Sequence, residues 1–323
     1  MPISPHSPSD PPPPAAPRIV FMGTPEFAVA SLDAILHAGY NVVSVITAPD
    51  KPAGRGMQLT ESAVKKYARE KNLPILQPER LKNPAFLDEL RSLAADLQIV
   101  VAFRMLPEAV WNMPPMGTVN LHGSLLPQYR GAAPINWAVI NGETETGVTT
   151  FKSQHDIDTG NILLQEKLPI GPDETAGELH DRMKETGARL LVRTIEGLAA
   201  GTLIPVPQED LPNLHHAPKI FTETGRIDWT KPTASIYNLI RGLSPFPAAF
   251  TELDGKLLKI YRAEQDLTPP STAPGGRDTD NRSYLRFATA DGYILLIELQ
   301  LEGKRRMNVG DFLRGYKPRP EAP

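Results

Sequence analysis

Residues 18–47 read RIVFMGTPEFAVASLDAILHAGYNVVSVIT. The run 18–23 is short, apolar and ends in glycine, the pattern of a buried strand. Residues 27–38 then place apolar side chains at helical spacing and stop at Gly39. Residues 41–47 form a second apolar strand. Working outward, 61–71 reads as a polar helix, 74–77 as a short strand and 85–95 as another helix. Residues 97–103, LQIVVAF, are a continuous apolar run, as expected at the centre of a parallel sheet. Further strands are expected at 117–121, 147–152 and 162–170, and one long amphipathic helix at 175–200. Strands alternating with helices predict an α/β domain, a Rossmann-like open sheet covered on both faces. Ligands in such folds sit outside the carboxyl ends of the strands.

The pattern changes after residue 201. Residues 202–221 contain Pro205, Pro207 and Pro212 without a clear period and read as a linker. Strand-like pieces follow at 250–252, 257–262, 284–288 and 293–301. Turns at Asp254-Gly255 and Asp291-Gly292 are hairpin signals. They predict a small OB-like β-barrel domain, with a polar loop over 269–282. The expected division is a disordered Pro/Ser-rich tail (1–17), a catalytic domain (18–201), a linker (202–221) and a C-terminal β-barrel domain (222–323).

Composition narrows the function classes. The chain has 323 residues, 41% hydrophobic and 22% charged, with no cysteine. Disulfides, thiolate metal sites and cysteine nucleophiles are excluded, which suits a reducing, cytoplasmic setting. No apolar run approaches the roughly 20 residues of a membrane span, and the first 17 residues resemble neither a signal nor a transit peptide. Charge is uneven. Residues 1–221 carry 19 Lys+Arg against 24 Asp+Glu, whereas 222–323 carry 15 against 13, leaving +2. The second part is the better candidate for a phosphate backbone. Gly23-Thr24-Pro25 stands where a dinucleotide enzyme carries G-x-G-x-x-G, so a nicotinamide dehydrogenase is disfavoured. His215-His216 lies in the linker without a carboxylate pattern, so no metal is expected.

The chemistry concentrates in residues 119–160, VNLHGSLLPQYRGAAPINWAVINGETETGVTTFKSQHDIDTG. Asn120 and His122 sit two apart at a strand end and project from the same face. Asp158, in an Asp-Thr-Gly turn after another strand, is placed to converge on them. An amide, an imidazole and a carboxylate meeting in one pocket suit acyl transfer to an amine. His122 accepts or shuttles the proton, Asn120 stabilises the developing oxyanion, and Asp158 orients the imidazole. Each residue alone also has an ordinary reading: a strand-end Asn, a buried His, a turn Asp.

The stretch 120–135, NLHGSLLPQYRGAAPI, resembles the signature of folate-dependent formyltransferases. Its extended form, LLP at 125–127 and RGAAPI at 130–135, is most similar to members that act on methionyl-tRNA. The resemblance extends to FMGTPEFA at 21–28, PDKPAGRG at 49–56 and RIDW at 226–229. It implies that Asn120, His122 and Asp158 are the catalytic trio. It implies 10-formyltetrahydrofolate as co-substrate, with contacts from Phe103, Met105, Leu106, Pro107, Ser124, Leu125, Leu126 and Pro127. Many members have Tyr-Gly where this chain has Phe103-Arg104. It also implies initiator methionyl-tRNA as partner, met by Lys51 and Arg55 of a mobile basic loop. Lys304, Arg305 and Arg306 of the C-terminal domain are further candidates for phosphate contact, and the enzyme is expected to be a monomer without a membrane anchor. The alternative acceptor is a small amine, a nucleotide or amino sugar. The RIDW-bearing C-terminal domain weighs against it.

Overall fold

The structure, a computed structural model, describes residues 16–53, 58–209 and 212–316. The first half runs β1 (Arg18–Gly23), α1 (Glu26–His37), β2 (Asn41–Ile46), β3 (Lys51–Ala53), β4 (Gln58–Thr60), α2 (Ala63–Glu70), β5 (Ile75–Leu76), α3 (Pro84–Ser92), β6 (Leu97–Val101), α4 (Glu108–Trp111) and β7 (Thr118–His122). Next come β8 (Arg130–Gly131), α5 (Pro134–Ile140), β9 (Glu145–Lys152), β10 (Ile162–Pro169), α6 (Ala176–Ala199) and β11 (His216–Ala217). Contacts gather the chain into two compact units. One holds the chain up to Leu121 with Thr150–His155 and Ala188–Val206. The other holds His122–Thr149, Asp156–Gly187 and the chain from Pro207.

The main sheet has the order β10-β9-β7-β6-β1-β2-β5. The pairs β7–β6, β6–β1, β1–β2 and β2–β5 are parallel. This is the Rossmann-like sheet that the alternating pattern predicts. All five residues of β6 are buried, which explains its unbroken apolar run. Its one polar side chain, Gln98, accepts a hydrogen bond from Thr118 Oγ1 at 3.0 Å, so burying the amide costs little. Helix α1 buries Phe27, Ala28, Ser31, Leu32 and Ile35, the stripe that its spacing foretells. Helices α2 and α3 start where Ser62 and Asn83 accept backbone N–H groups at 3.0 Å. Beside the central strands lies a cluster of Val20, Met22, Ile46, Phe86, Leu90, Val100 and Val110.

The last hundred residues form α7 (Thr233–Leu243), β12 (Ala249–Leu253), β13 (Lys256–Asp266), β14 (Arg277–Thr279), β15 (Leu285–Ala288), β16 (Tyr293–Leu301), β17 (Met307–Asn308) and α8 (Val309–Gly315). The strands make an antiparallel sheet in the order β12-β13-β16-β15-β14, with β17 on β16. The two Asp-Gly turns close the hairpins β12–β13 and β15–β16. Register shifts between Ile260 and Ala263 bend β13, and the sheet curls as an antiparallel half-barrel. Helix α7 packs against the sheet. Ile236, Tyr237, Ile240 and Leu243 pack against Leu258, Ile260, Phe287, Leu296 and Leu299. This helix was not anticipated, although its apolar positions at 236, 237, 240 and 243 carry a helical period behind Pro232. The strand β14 likewise falls inside the expected loop.

The RIDW segment has a packing role here. Trp229 stacks on Phe287 with centroids 4.8 Å apart, and its indole N–H donates to Thr251 Oγ1 at 3.0 Å. Asp228 accepts the Thr230 amide and hydroxyl, which holds its carboxyl below the usual range. Together they set the entry into α7.

Gly23 marks a close approach in the first unit. An added Cβ would lie 2.7 Å from Ala28 Cβ and 2.9 Å from Phe21 Cε1. Gly23→Ala is expected to lower stability by about 1–3 kcal/mol, read as a lower denaturation midpoint at unchanged m-value.

Candidate active site

Strand β7 delivers His122 at its end, where the imidazole is buried. Its Nε2 lies 2.9 Å from the Tyr129 carbonyl. A carbonyl only accepts, so Nε2 carries the proton and donates it. The other nitrogen, Nδ1, faces Asp158 Oδ2 at 3.7 Å. In the neutral ring Nδ1 therefore holds the lone pair, and after it takes a proton the carboxylate is beside the cation. Asp158 is itself restrained. Its Oδ2 accepts the Gly131 amide at 3.0 Å, and its backbone is left-handed, with φ of 55°. Asp tolerates that region better than most residues. Asn120, two positions before His122 on β7, leaves the strand by the same face and is half-buried.

The loop after His122 is held by residues the sequence did not single out. Thr149 Oγ1 donates to Ser124 O at 2.7 Å and accepts from Leu126 N at 3.1 Å. Gln165 Nε2 donates to Leu126 O at 2.9 Å, and Ser124 Oγ donates to Gln128 O at 2.6 Å. Gln208 and residues 215–217 then bind the same loop. Tyr129 N donates to His215 O at 2.7 Å, and Ala132 N to Ala217 O at 2.7 Å. Residues Arg130 and Gly131 pair with His216 and Ala217 as a short parallel ladder. The Tyr129 hydroxyl donates to Glu143 at 2.5 Å and lies 3.0 Å from His215 Nδ1. Burial first, and the Glu143 carboxylate second, push that hydroxyl's pKa upward. His215 is thus engaged with Tyr129 and Glu143, and among the described residues no cluster is arranged to hold a metal. Arg130 directs its guanidinium to Gln208 Oε1 at 2.7 and 3.0 Å, a structural contact.

In the first unit, a cavity of about 450 Å³ opens beyond the ends of β1, β2 and β6. Thr24, Ala48, Pro49, Asp50, Lys51, Glu79, Phe103 and Arg104 line it. This is where open α/β sheets hold ligands. It joins two of the expected residues, Lys51 and Phe103. Arg104, the departure from Tyr-Gly, joins them and anchors its guanidinium on the Glu79 carbonyl at 2.8 Å. Asp50 accepts from Lys65 and Gln77, which hold its carboxyl below the ordinary range. Phe103 and Leu106 pack on the apolar cluster, Pro107 is half-buried, and Met105 is exposed. Of the loop residues, Ser124 and Leu126 are buried, whereas Leu125 and Pro127 are half-buried.

Arg55 lies outside the described residues. Lys51, Lys304 and Arg305 are exposed. Arg306 is also exposed, but its guanidinium meets Glu298 at 2.5 and 2.7 Å and stacks over the Tyr261 ring at 4.1 Å. That makes it a less available phosphate contact than its two neighbours.

A buried imidazole backed by a carboxylate at the end of a strand of an open α/β sheet is able to handle a proton in group transfer. Comparison with known proteins agrees. The family described as formyl transferase matches residues 17–195, and its C-terminal domain matches 219–317. The chain is 58% identical over 310 residues to a methionyl-tRNA formyltransferase of Parabacteroides distasonis, covering 93% of this chain and 96% of that protein. It is 52% identical to a protein of the same name from Bacteroides fragilis, over 93% and 95% of the two chains. An N-formyltransferase from Helicobacter canadensis, solved with folinic acid and dTDP-3-aminofucose, shares the fold. Its TM-score is 0.67 at 20% identity, over 90% of this chain and 99% of that one. The chain belongs to the formyltransferase family and, within it, to the methionyl-tRNA formyltransferases.

Replacing His122 by Ala is expected to lower kcat for formyl transfer by about 100- to 10,000-fold. Asn120→Ala is expected to cost about 100- to 1000-fold. Single-turnover rates at saturating substrate check both.

Proposed function

We propose that this chain moves the formyl group of 10-formyltetrahydrofolate onto the free amine of methionyl-initiator tRNA, giving N-formylmethionyl-tRNA for translation initiation. The observation that carries the reading is the His122–Asp158 pair, with Asn120 two positions before His122 on β7. The acceptor rests on identity over 93% of the chain with enzymes named for that tRNA.

The amine nitrogen adds to the formyl carbon, and the C=O bond gives up its π pair to oxygen. The Asn120 amide donates to that oxyanion. The proton lost from nitrogen passes to His122 Nδ1, directly or through water, and Asp158 supports the resulting imidazolium. As the carbonyl re-forms, the bond to the folate nitrogen breaks. The proton held by His122 returns to that leaving nitrogen, so protons and electron pairs balance. No side chain is acylated, because the amine is itself the nucleophile. The folate contacts are assigned to Phe103, Met105, Leu106 and Pro107 and to Ser124, Leu125, Leu126 and Pro127, mostly apolar side chains that suit a flat pterin.

Residues 18–201 act as the catalytic domain, and 222–323 hold the acceptor arm through shape and phosphate contacts. Lys304 and Arg305 are the exposed cations there, and Arg306 stiffens the same turn. Lys51 and Arg55 contact the RNA from the other domain. The enzyme works as a monomer in the cytoplasm. Among the described residues, no helix is long and apolar enough to cross a membrane.

The deciding experiment incubates the enzyme with 10-formyltetrahydrofolate and charged initiator tRNA, with a glycinamide nucleotide and an amino-sugar nucleotide as competing acceptors. Formylated tRNA alone is expected; product only from a small amine would replace the acceptor assignment. Lys304→Ala combined with Arg305→Ala should raise the KM for tRNA several-fold at low salt with kcat nearly unchanged. Because the contacts are electrostatic, that difference should shrink as salt rises.

A further inference from the structure

The side chain of Gln208 has an unusual arrangement of partners for a residue of an irregular, proline-rich segment. Its amide offers two N–H donors and an oxygen with two lone pairs, and all four are used. Nε2 donates to the Asp158 carbonyl and to the Gly160 carbonyl, both at 2.8 Å. Oε1 accepts from Arg130 Nε at 3.0 Å and Nη2 at 2.7 Å. The residues it joins are 48 to 78 positions away in sequence.

Those partners sit on both sides of the Asp158 carboxylate. On one side is the turn whose backbone is left-handed at Asp158. Such a conformation in a non-glycine residue persists when its surroundings over-determine it. On the other side is Arg130, whose neighbour Gly131 donates its amide to Asp158 Oδ2 at 3.0 Å. Gln208 therefore spans the turn that carries the carboxylate and the strand that holds the carboxylate's oxygen. The carboxylate held in this way lies 3.7 Å from His122 Nδ1.

We propose that Gln208 is a positioning residue for formyl transfer, fixing Asp158 against His122 from outside the catalytic trio. The inference rests on the assignment of formyl transfer made above. Arg130 satisfies the oxygen half of the amide, and only the N–H half reaches the Asp158 turn. A glutamate at this position keeps the Arg130 contact and strengthens it by charge, but turns two acceptors toward two carbonyl oxygens.

Gln208→Glu and Gln208→Ala separate the two halves. Both variants are expected to keep a melting temperature near that of the parent. Both should lose kcat, on the order of ten- to a hundred-fold for a misplacement of this size. The KM for folate and for tRNA should stay within about threefold, the signature of an interaction felt in the transition state. Amide hydrogen exchange over residues 156–160, which needs no substrate, should quicken in both. Parental kcat in Gln208→Glu would overturn the proposal, as would unchanged exchange in that turn. So would a loss of activity matched by a loss of folded protein. An inactive parent enzyme would instead sink the acceptor assignment, and the exchange measurement would still decide the role of Gln208.

Discussion

A buried imidazole has two polar nitrogens and no water to satisfy them, and this constraint organises the catalytic region. At His122 the solution is asymmetric. Nε2 is bound to a backbone carbonyl, so its proton is committed. Nδ1 is left facing a carboxylate at a distance longer than a normal hydrogen bond. One nitrogen is thus structural and the other is available for proton transfer. A ring bound tightly at both ends would be inert, and one free at both ends would lack orientation.

That division requires the Tyr129 carbonyl and the Asp158 carboxylate to stay in place, and both lie on irregular backbone. Tyr129 and Asp158 each have positive φ. Their conformations are held by groups drawn from distant parts of the chain. Thr149 and Gln165 satisfy one part of the loop, and Gln208 with residues 215–217 satisfies another. In the proline-rich segment after α6, the Gln208 side chain and the His215 and Ala217 carbonyls serve to hold that backbone. Prolines suit such a strap, because they favour extended backbone and do not compete for hydrogen bonds as donors.

Several elements were legible because their signal is local. The apolar runs of β1 and β6, the stripe of α1 and the length of α6 follow from periodicity alone. Helices α5 and α7 were missed. Each begins beside a proline, and α5 follows directly on a stretch rich in glycine and proline. The sequence also placed Asn120 and His122 on one strand face. It gave no indication that Arg104 would line a cavity with Lys51, or that Trp229 would serve as packing against Phe287.

The amino-acid sequence by itself determined the alternation that builds the open sheet, the family signature around His122, and which side chains we propose as the reacting groups. Those are properties of spacing and composition along the chain. Only the tertiary structure decided which nitrogen of His122 is committed, which cations are already paired, and that Gln208 meets Asp158. Hydrogen-bond partners in irregular backbone are chosen by distance in space, and residues 48 to 78 positions apart carry no periodic mark of their meeting.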